Sequence, residues 1–434
     1  MACIVSDKTQ VAARGGLGAV MGAKNLKAIA VKGNQKPLIS EPEEFKRYAE
    51  EWKTANLTNP EMQLYIKYGT AGILGNMHSL GDLPIMNFSR GVFPGYEKIT
   101  GQHLVDNFLC KNLTCRGCWV AHRKLLEINE GGKVLRAELP EYEDLAAWGS
   151  NIGLADPARV VELAELADSL GIDALDGSNV VALAMECYEK GILTKEDTGG
   201  TDLRFGNAEA AAEIMQCIAY RKGLGNVLAE GPGRAAKIIG RGATEICAHI
   251  KNMSPIMHDF RAFWGFALQY TVATGGPTHE GGPRALEQTG VLPRFSTQGK
   301  AAAVKQGQEV RCFINSLGVC LFGAIGVPIE VLTGALSAAL GYQFTADEVK
   351  KTVLRAVNLR RAFAVRRGLL PDDDTLSPRL LEAPMEGGAK GSKIDIVPMV
   401  REYYDLMGWD EKTGKPSRKT LADLGLEDII DDIW

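Results

Sequence analysis

The chain has 434 residues, 45% of them hydrophobic and 24% charged, with a formal net charge of −4. That length suits two or three domains and a large core, and the composition excludes a disordered chain and shows no basic excess of the kind that marks nucleic-acid binders. No apolar run reaches membrane-spanning length. The opening residues, Met1 to Lys8, carry no signal-peptide core, so the cytoplasm is the expected location. Nine cysteines are an odd number in a long chain without an export signal. Reduced thiols available to a metal are therefore expected, rather than a disulfide framework.

In chain order, residues 1–35 predict loop, a Gly-rich turn and a short strand at Leu26–Val31. A charged amphipathic helix follows from Glu41 to about Lys53, then a loop-rich stretch with cysteines at 110, 115 and 118. After Pro140 the pattern turns strongly helical. Asp156 is a good N-cap and Pro157 a good first helical residue. The apolar positions Val160, Val161, Ala164, Ala167 and Leu170 share a face, and Gly171 ends the helix. Further helices are expected from about Ser178 to Lys190 and over 207–221, 300–317, 328–340 and 346–364. The tail from about Leu370 is loop-rich and is expected to wrap the surface. The class is mainly α with a β remnant at the N-terminus.

Four features point to chemistry. Residues 168–173, Asp-Ser-Leu-Gly-Ile-Asp, are echoed at 315–320 by Asn-Ser-Leu-Gly-Val-Cys, each at a predicted helix C-terminus. Two similar glycine caps explain the echo. A ligand offering N–H donors explains it too, because Asp168 and Asp173 sit where the negative end of a helix dipole disfavours carboxylates. Cys115-Arg116-Gly117-Cys118 is a C-x-x-C pair with Cys110 before it, His122 after it and Cys320 as a distant candidate. That set suits an iron–sulfur cluster or zinc, with a redox dithiol or inert thiols as the other readings. His279 stands in the Gly-rich run 275–282, where backbone can approach a ligand closely. Finally, Arg14 opens a Gly-rich, cation-flanked stretch able to meet phosphate, although it is neither a Walker loop nor a dinucleotide fingerprint. His258 precedes Asp259 and Arg261, which a local hydrogen-bonded turn explains equally well.

The stretch Arg14-Gly-Gly-Leu-Gly-Ala-Val-Met-Gly-Ala-Lys-Asn-Leu-Lys27 resembles the signature of the tungsten-containing aldehyde ferredoxin oxidoreductase family. Pro140-Glu141-Tyr142-Glu143, Leu228-Ala229-Glu230-Gly231, Asp259…Arg261 and the run from Gly408 to Leu426 support it. The resemblance spans the chain and implies a bis-pterin tungsten (or molybdenum) centre beside a 4Fe–4S cluster. It assigns one pterin to Asp168, Gly171, Ile172 and Asp173, the other to Asn315, Gly318 and Val319, and the pterin phosphates to Arg14. Asn315 departs from the family's aspartate. Cys115, Cys118 and Cys320 match the cluster pattern, but His122 stands where the family has a third cysteine. Either His122 or Cys110 completes the cluster, or the cluster is damaged or absent. His279 is the implied proton-transfer residue, with Glu143 or Glu141 and Glu162 as acidic partners.

The resemblance implies two helical domains, 36–247 and 248–434, after a remnant, 1–35, of a pterin-binding β domain. The missing part of that domain then comes either from a truncated gene model or from another polypeptide. The implied reaction is oxidation of an aldehyde to a carboxylic acid, with electrons passed through the cluster to ferredoxin or another electron-transfer protein. Two other readings are a tungsten subunit acting on an aromatic thioester such as benzoyl-CoA, and a non-catalytic fragment or scaffold. A homodimer or a partner subunit is also expected.

Overall fold

The computed structural model describes residues 1–6 and 10–434. Helices dominate, and the described strands form two small antiparallel sheets. The hairpin Ile4–Ser6 with Gln10–Ala12 is one of them. The other orders Leu109–Asn112, Lys124–Glu130 and Lys133–Glu138, with a register shift between Leu109 and Lys111. Its tight turn is Gly131-Gly132, both at positive φ, the chemistry a two-residue hairpin loop requires.

The helix Pro157–Leu170 is built as its punctuation predicts. Asp156 accepts a bond from the Arg159 N–H, and Gly171 ends the helix at φ 66°. The next helix, Ala174–Glu189, begins a turn before the expected Ser178 because the Asp173 carboxylate caps it, accepting from Leu175 and Asp176 N–H. It is buried almost all round, which hides its N-terminal boundary from a pattern search. Lys300–Leu317, Ile329–Leu340 and Ala346–Arg366 follow their expected spans closely.

Two expectations are corrected. Leu26–Val31 forms no strand and pairs with none among the described residues, and Ile29 and Val31 are exposed. The tail does more than wrap the surface. Its helix Ile396–Met407 buries Met399, Tyr403 and Tyr404 against Lys300–Leu317. Asp374, in the acidic run, is fully buried between Arg361 and Lys251.

The largest buried cluster runs from Ala71 to Met257 and centres on Trp148 and the Ala174–Glu189 helix. A second joins Phe88 to residues between Ala248 and Trp409. Arg261 ties segments together at that seam, donating to the Phe88 and Arg379 carbonyls and pairing with Asp259. No helix among the described residues is long and apolar enough to cross a membrane.

Candidate active site

A cavity of about 430 Å³ opens where the Tyr142–Trp148 helix, the Trp264–Val272 helix and the 275–282 loop meet. Glu143 enters it from the first turn of its helix. One carboxylate oxygen accepts from the Met257 N–H at 2.7 Å, and the other lies 3.0 Å from His279 Nε2. The His279 loop is pressed against the Lys300–Leu317 helix at Gly281, whose φ is 90°. A Cβ there would fall 2.2 Å from the Gly307 carbonyl oxygen, so only glycine permits this approach. On its other side, His279 Nδ1 lies 3.4 Å from the Tyr270 hydroxyl.

The protonation pattern follows from these contacts. Burial raises the Glu143 carboxyl, but the hydrogen bond to His279 and its electrostatic attraction, with the nearby His258 ring and the Met257 N–H, outweigh it and bring the pKa down to about 2. Glu143 is thus an anion at neutral pH. Burial, with Glu143 nearby, pushes the Tyr270 phenol well above its ordinary range, so it keeps its proton and donates to Nδ1. The proton of neutral His279 then belongs on Nε2, pointing at Glu143.

Beneath this pair lies His258, taken from sequence as part of a local turn with Asp259. Its Nδ1 instead meets Asp82, 176 residues away, and its Nε2 lies 3.7 Å from Glu143. Burial lowers the imidazole and raises the Asp82 carboxyl, so both favour their neutral forms. Asp82 carries the shared proton and His258 directs Nε2–H toward Glu143. The signal missed in the sequence was Asp82 itself, an acid in the loop-rich stretch ahead of Leu83-Pro84.

The cavity does not take Glu162. That residue is exposed on the Pro157–Leu170 helix and pairs with Arg159 at 2.7 Å, as an i,i+3 surface pair does. Glu141 does line the cavity, accepting from Thr70 and facing His122 Nε2 at 3.3 Å.

The two echoed motifs are both left-handed glycine caps, with Gly171 at φ 66° and Gly318 at φ 68°. The first also holds carboxyls, and Asp144 of the Tyr142–Trp148 helix lies near it. Burial, with Glu165 and Glu138 nearby, raises Asp168 to about 6, and burial with Asp168 and Glu141 nearby raises Asp144 to about 8. A heterocycle presenting N–H groups fits such acids. Ile172 bridges to Ala2, while Asn315 is exposed and Val319 packs in a small apolar cluster.

Asp173 and Arg14 are engaged within the protein. Asp173 caps a helix, and Arg14 donates to the Ser254 and Pro277 carbonyls and to Asp176, leaving its Nε 3.5 Å from Asp173. In this arrangement Arg14 ties the signature stretch to two distant loops. An anion at Arg14 must compete with those bonds.

Cys115 and Cys118 share one tight turn, the Cys118 N–H bonding the Cys115 carbonyl at 3.1 Å. Cys110, Cys115, Cys118 and Cys320 are all free thiols. The His122 ring packs against Phe322, two residues beyond Cys320, at a tilt of 46° with centroids 4.9 Å apart. The donors suit an iron–sulfur site in kind. Among the described residues, no three His, Cys, Asp or Glu are gathered closely enough to hold an ion.

Comparison with known proteins agrees with this architecture. The family model for aldehyde ferredoxin oxidoreductase domains 2 and 3 matches residues 47–426, and the model for its N-terminal domain matches residues 1–33. The tungsten-containing aldehyde ferredoxin oxidoreductase of Pyrococcus furiosus is 34% identical over 99% of this chain and 71% of its own length. The WOR-like subunit of an aliphatic sulfonate oxidoreductase from the same organism is 30% identical, covering 98% and 68%. The structure of the active-site complex BamBC of benzoyl coenzyme A reductase with 1,5-dienoyl-CoA superposes with a TM-score of 0.78 at 21% identity, over 99% of this chain and 72% of that one. That last likeness is one of fold. With the family model spanning nearly the whole helical region and the identity to its members extending end to end, the chain belongs to the aldehyde ferredoxin oxidoreductase family of oxidoreductases.

Proposed function

We propose that the chain oxidises an aldehyde to a carboxylic acid, RCHO + H2O → RCOOH + 2H+ + 2e−, with the electrons leaving one at a time to ferredoxin or a similar carrier. The observation that carries this reading is the Glu143–His279 pair, 3.0 Å apart, facing a mostly apolar cavity. A bis-pterin tungsten or molybdenum centre, when bound, supplies the two-electron acceptor and polarises the carbonyl. Asp168 and Asp173 with their Gly171 cap, and Asn315 with Gly318 and Val319, are the residues for the pterins. Cys115, Cys118 and Cys320, with Cys110 or His122, are the residues for a 4Fe–4S cluster.

The chain's own part is proton handling. Water adding to the carbonyl must lose a proton. With Nε2–H held by the Glu143 anion, His279 accepts that proton at Nδ1, after the Tyr270 hydroxyl turns away. Glu143 then stabilises the imidazolium, as a carboxylate does behind a catalytic histidine. His258, held neutral by Asp82, supports Glu143 from below without adding charge. Phe266 and Phe322 make the wall apolar, which keeps these charges strong.

The test is anaerobic turnover of an aldehyde series with a one-electron dye. His279→Ala should cost about 10²- to 10⁴-fold in kcat with bound metal unchanged, and unaltered turnover refutes the assignment. Benzoyl-CoA serves in the same assay as the rival substrate. Absence of tungsten and molybdenum from anaerobically purified protein would favour a non-catalytic subunit.

A further inference from the structure

The charges lining the cavity are unevenly matched. Each of its carboxylates has a donor: Glu61 the Tyr65 hydroxyl at 2.7 Å, Glu141 the Thr70 hydroxyl, Glu143 the Met257 N–H and His279. The two guanidiniums on the wall differ in their partners. Arg284 bonds the Met77 sulfur at 3.2 Å, shares the Tyr65 hydroxyl and faces the Asp82 carboxyl, so it is already engaged. Arg311, on the Lys300–Leu317 helix, makes no hydrogen bond or ion pair among the described residues. Burial works against its charge, and the groups that favour it are the Tyr270 phenol and the Cys320 thiol rather than a carboxylate. A half-buried guanidinium on a cavity wall with no protein acceptor can receive an incoming anion, and its planar fork suits a carboxylate.

We propose that the cavity selects an aldehyde bearing a second, anionic group, a carboxylate, which Arg311 binds while the carbonyl lies toward His279 and Glu143. This rests on the aldehyde-oxidising reading and adds the substrate class. Such an acid meets a donor, Arg311, that a neutral aldehyde leaves without a partner, so discrimination arises from that pairing.

The test pairs 4-oxobutanoate with butanal, which match in chain length and differ in charge. The wild-type protein should favour 4-oxobutanoate by about 10- to 100-fold in kcat/KM, the range expected for charged hydrogen bonds. Arg311→Gln should remove most of that preference through KM for the acid, and Arg311→Lys should restore part of it. A wild-type ratio near one overturns the proposal while leaving aldehyde oxidation standing. An equal fall in kcat for both substrates in Arg311→Gln also overturns it, because the arginine then acts through Cys320 or the packing. Succinate binding, measured by calorimetry without turnover, should be present in the wild type and lost in Arg311→Gln. If neither aldehyde is oxidised, the functional reading fails, and succinate binding alone decides whether the anion site exists.

Discussion

Replacing Glu143 with Gln probes the site through stability as well as rate. In the folded protein the carboxyl sits at about 2 against 4.5 in a free chain. At about 1.4 kcal/mol per pH unit, that difference is worth about 3 kcal/mol of folding free energy. The folded value is depressed, so this stability is fully present above about pH 4.5 and is lost as pH falls toward 2. The amide cannot reproduce the pattern. Both the Met257 N–H and His279 Nε2–H are donors, and a glutamine has one oxygen to offer them. Unfolding entropy of about 2.1 cal/mol/K per residue gives about 0.9 kcal/mol/K for 434 residues. Glu143→Gln should therefore lower the thermal midpoint by about 3 °C at pH 7, and the gap should shrink to less than half of that at pH 3. A calorimetric scan of both proteins across that range is the assay. Turnover should fall by about 10³- to 10⁴-fold, because the imidazole loses the anion that fixes its tautomer. A midpoint difference that is the same at pH 7 and pH 3 would refute the charge-based account, leaving only a packing defect.

Asp374→Ala should destabilise by about 3–5 kcal/mol, a fall of several degrees in the same scan, because it strands Lys251 and Arg361 as buried unpaired cations; a loss under about 1 kcal/mol would show those charges rehydrating. Asp173→Ala removes a helix cap and the partner of Arg14, so about 1–2 kcal/mol should be lost, and an unchanged midpoint would place the Asp173 carboxylate outside the fold's support. Cys118→Ser should strip bound iron from anaerobically purified protein, read colorimetrically; retained iron would remove the C-x-x-C turn from the ligand set.

Much of the fold was legible because it is punctuated locally. Asp156, Pro157 and Gly171 mark one helix at both ends, and Thr345 with Glu348 forms a capping box at another. The boundary at Ser178 was misplaced because Ala174–Glu189 is apolar on every face, leaving no periodicity to show where it starts. Leu26–Val31 carries strand-like residues, yet a strand exists only through its partner, and none of the described residues supplies one. The Lys124–Glu138 hairpin carries its own local signal, Gly131-Gly132 between two strand-forming runs.

The site was legible in its residue types and hidden in its pairings. His279 stood out by its glycines, and Glu143 by its place after Pro140, but the 136 residues between them leave no local trace of a 3.0 Å contact. Glu162, assigned only through the family resemblance, lies on an exposed helix face and pairs with Arg159. His258 is the most instructive. A histidine followed by an aspartate invites a local pairing, but the Asp259 carboxylate is already taken by Arg261, which anchors the seam between the two main cores. That leaves His258 free for Asp82, and the neutral pair so formed sets an uncharged Nε2–H against Glu143. A structural ion pair one residue away thus decides which acid His258 can use, and through it how firmly the Glu143 charge is held beneath His279.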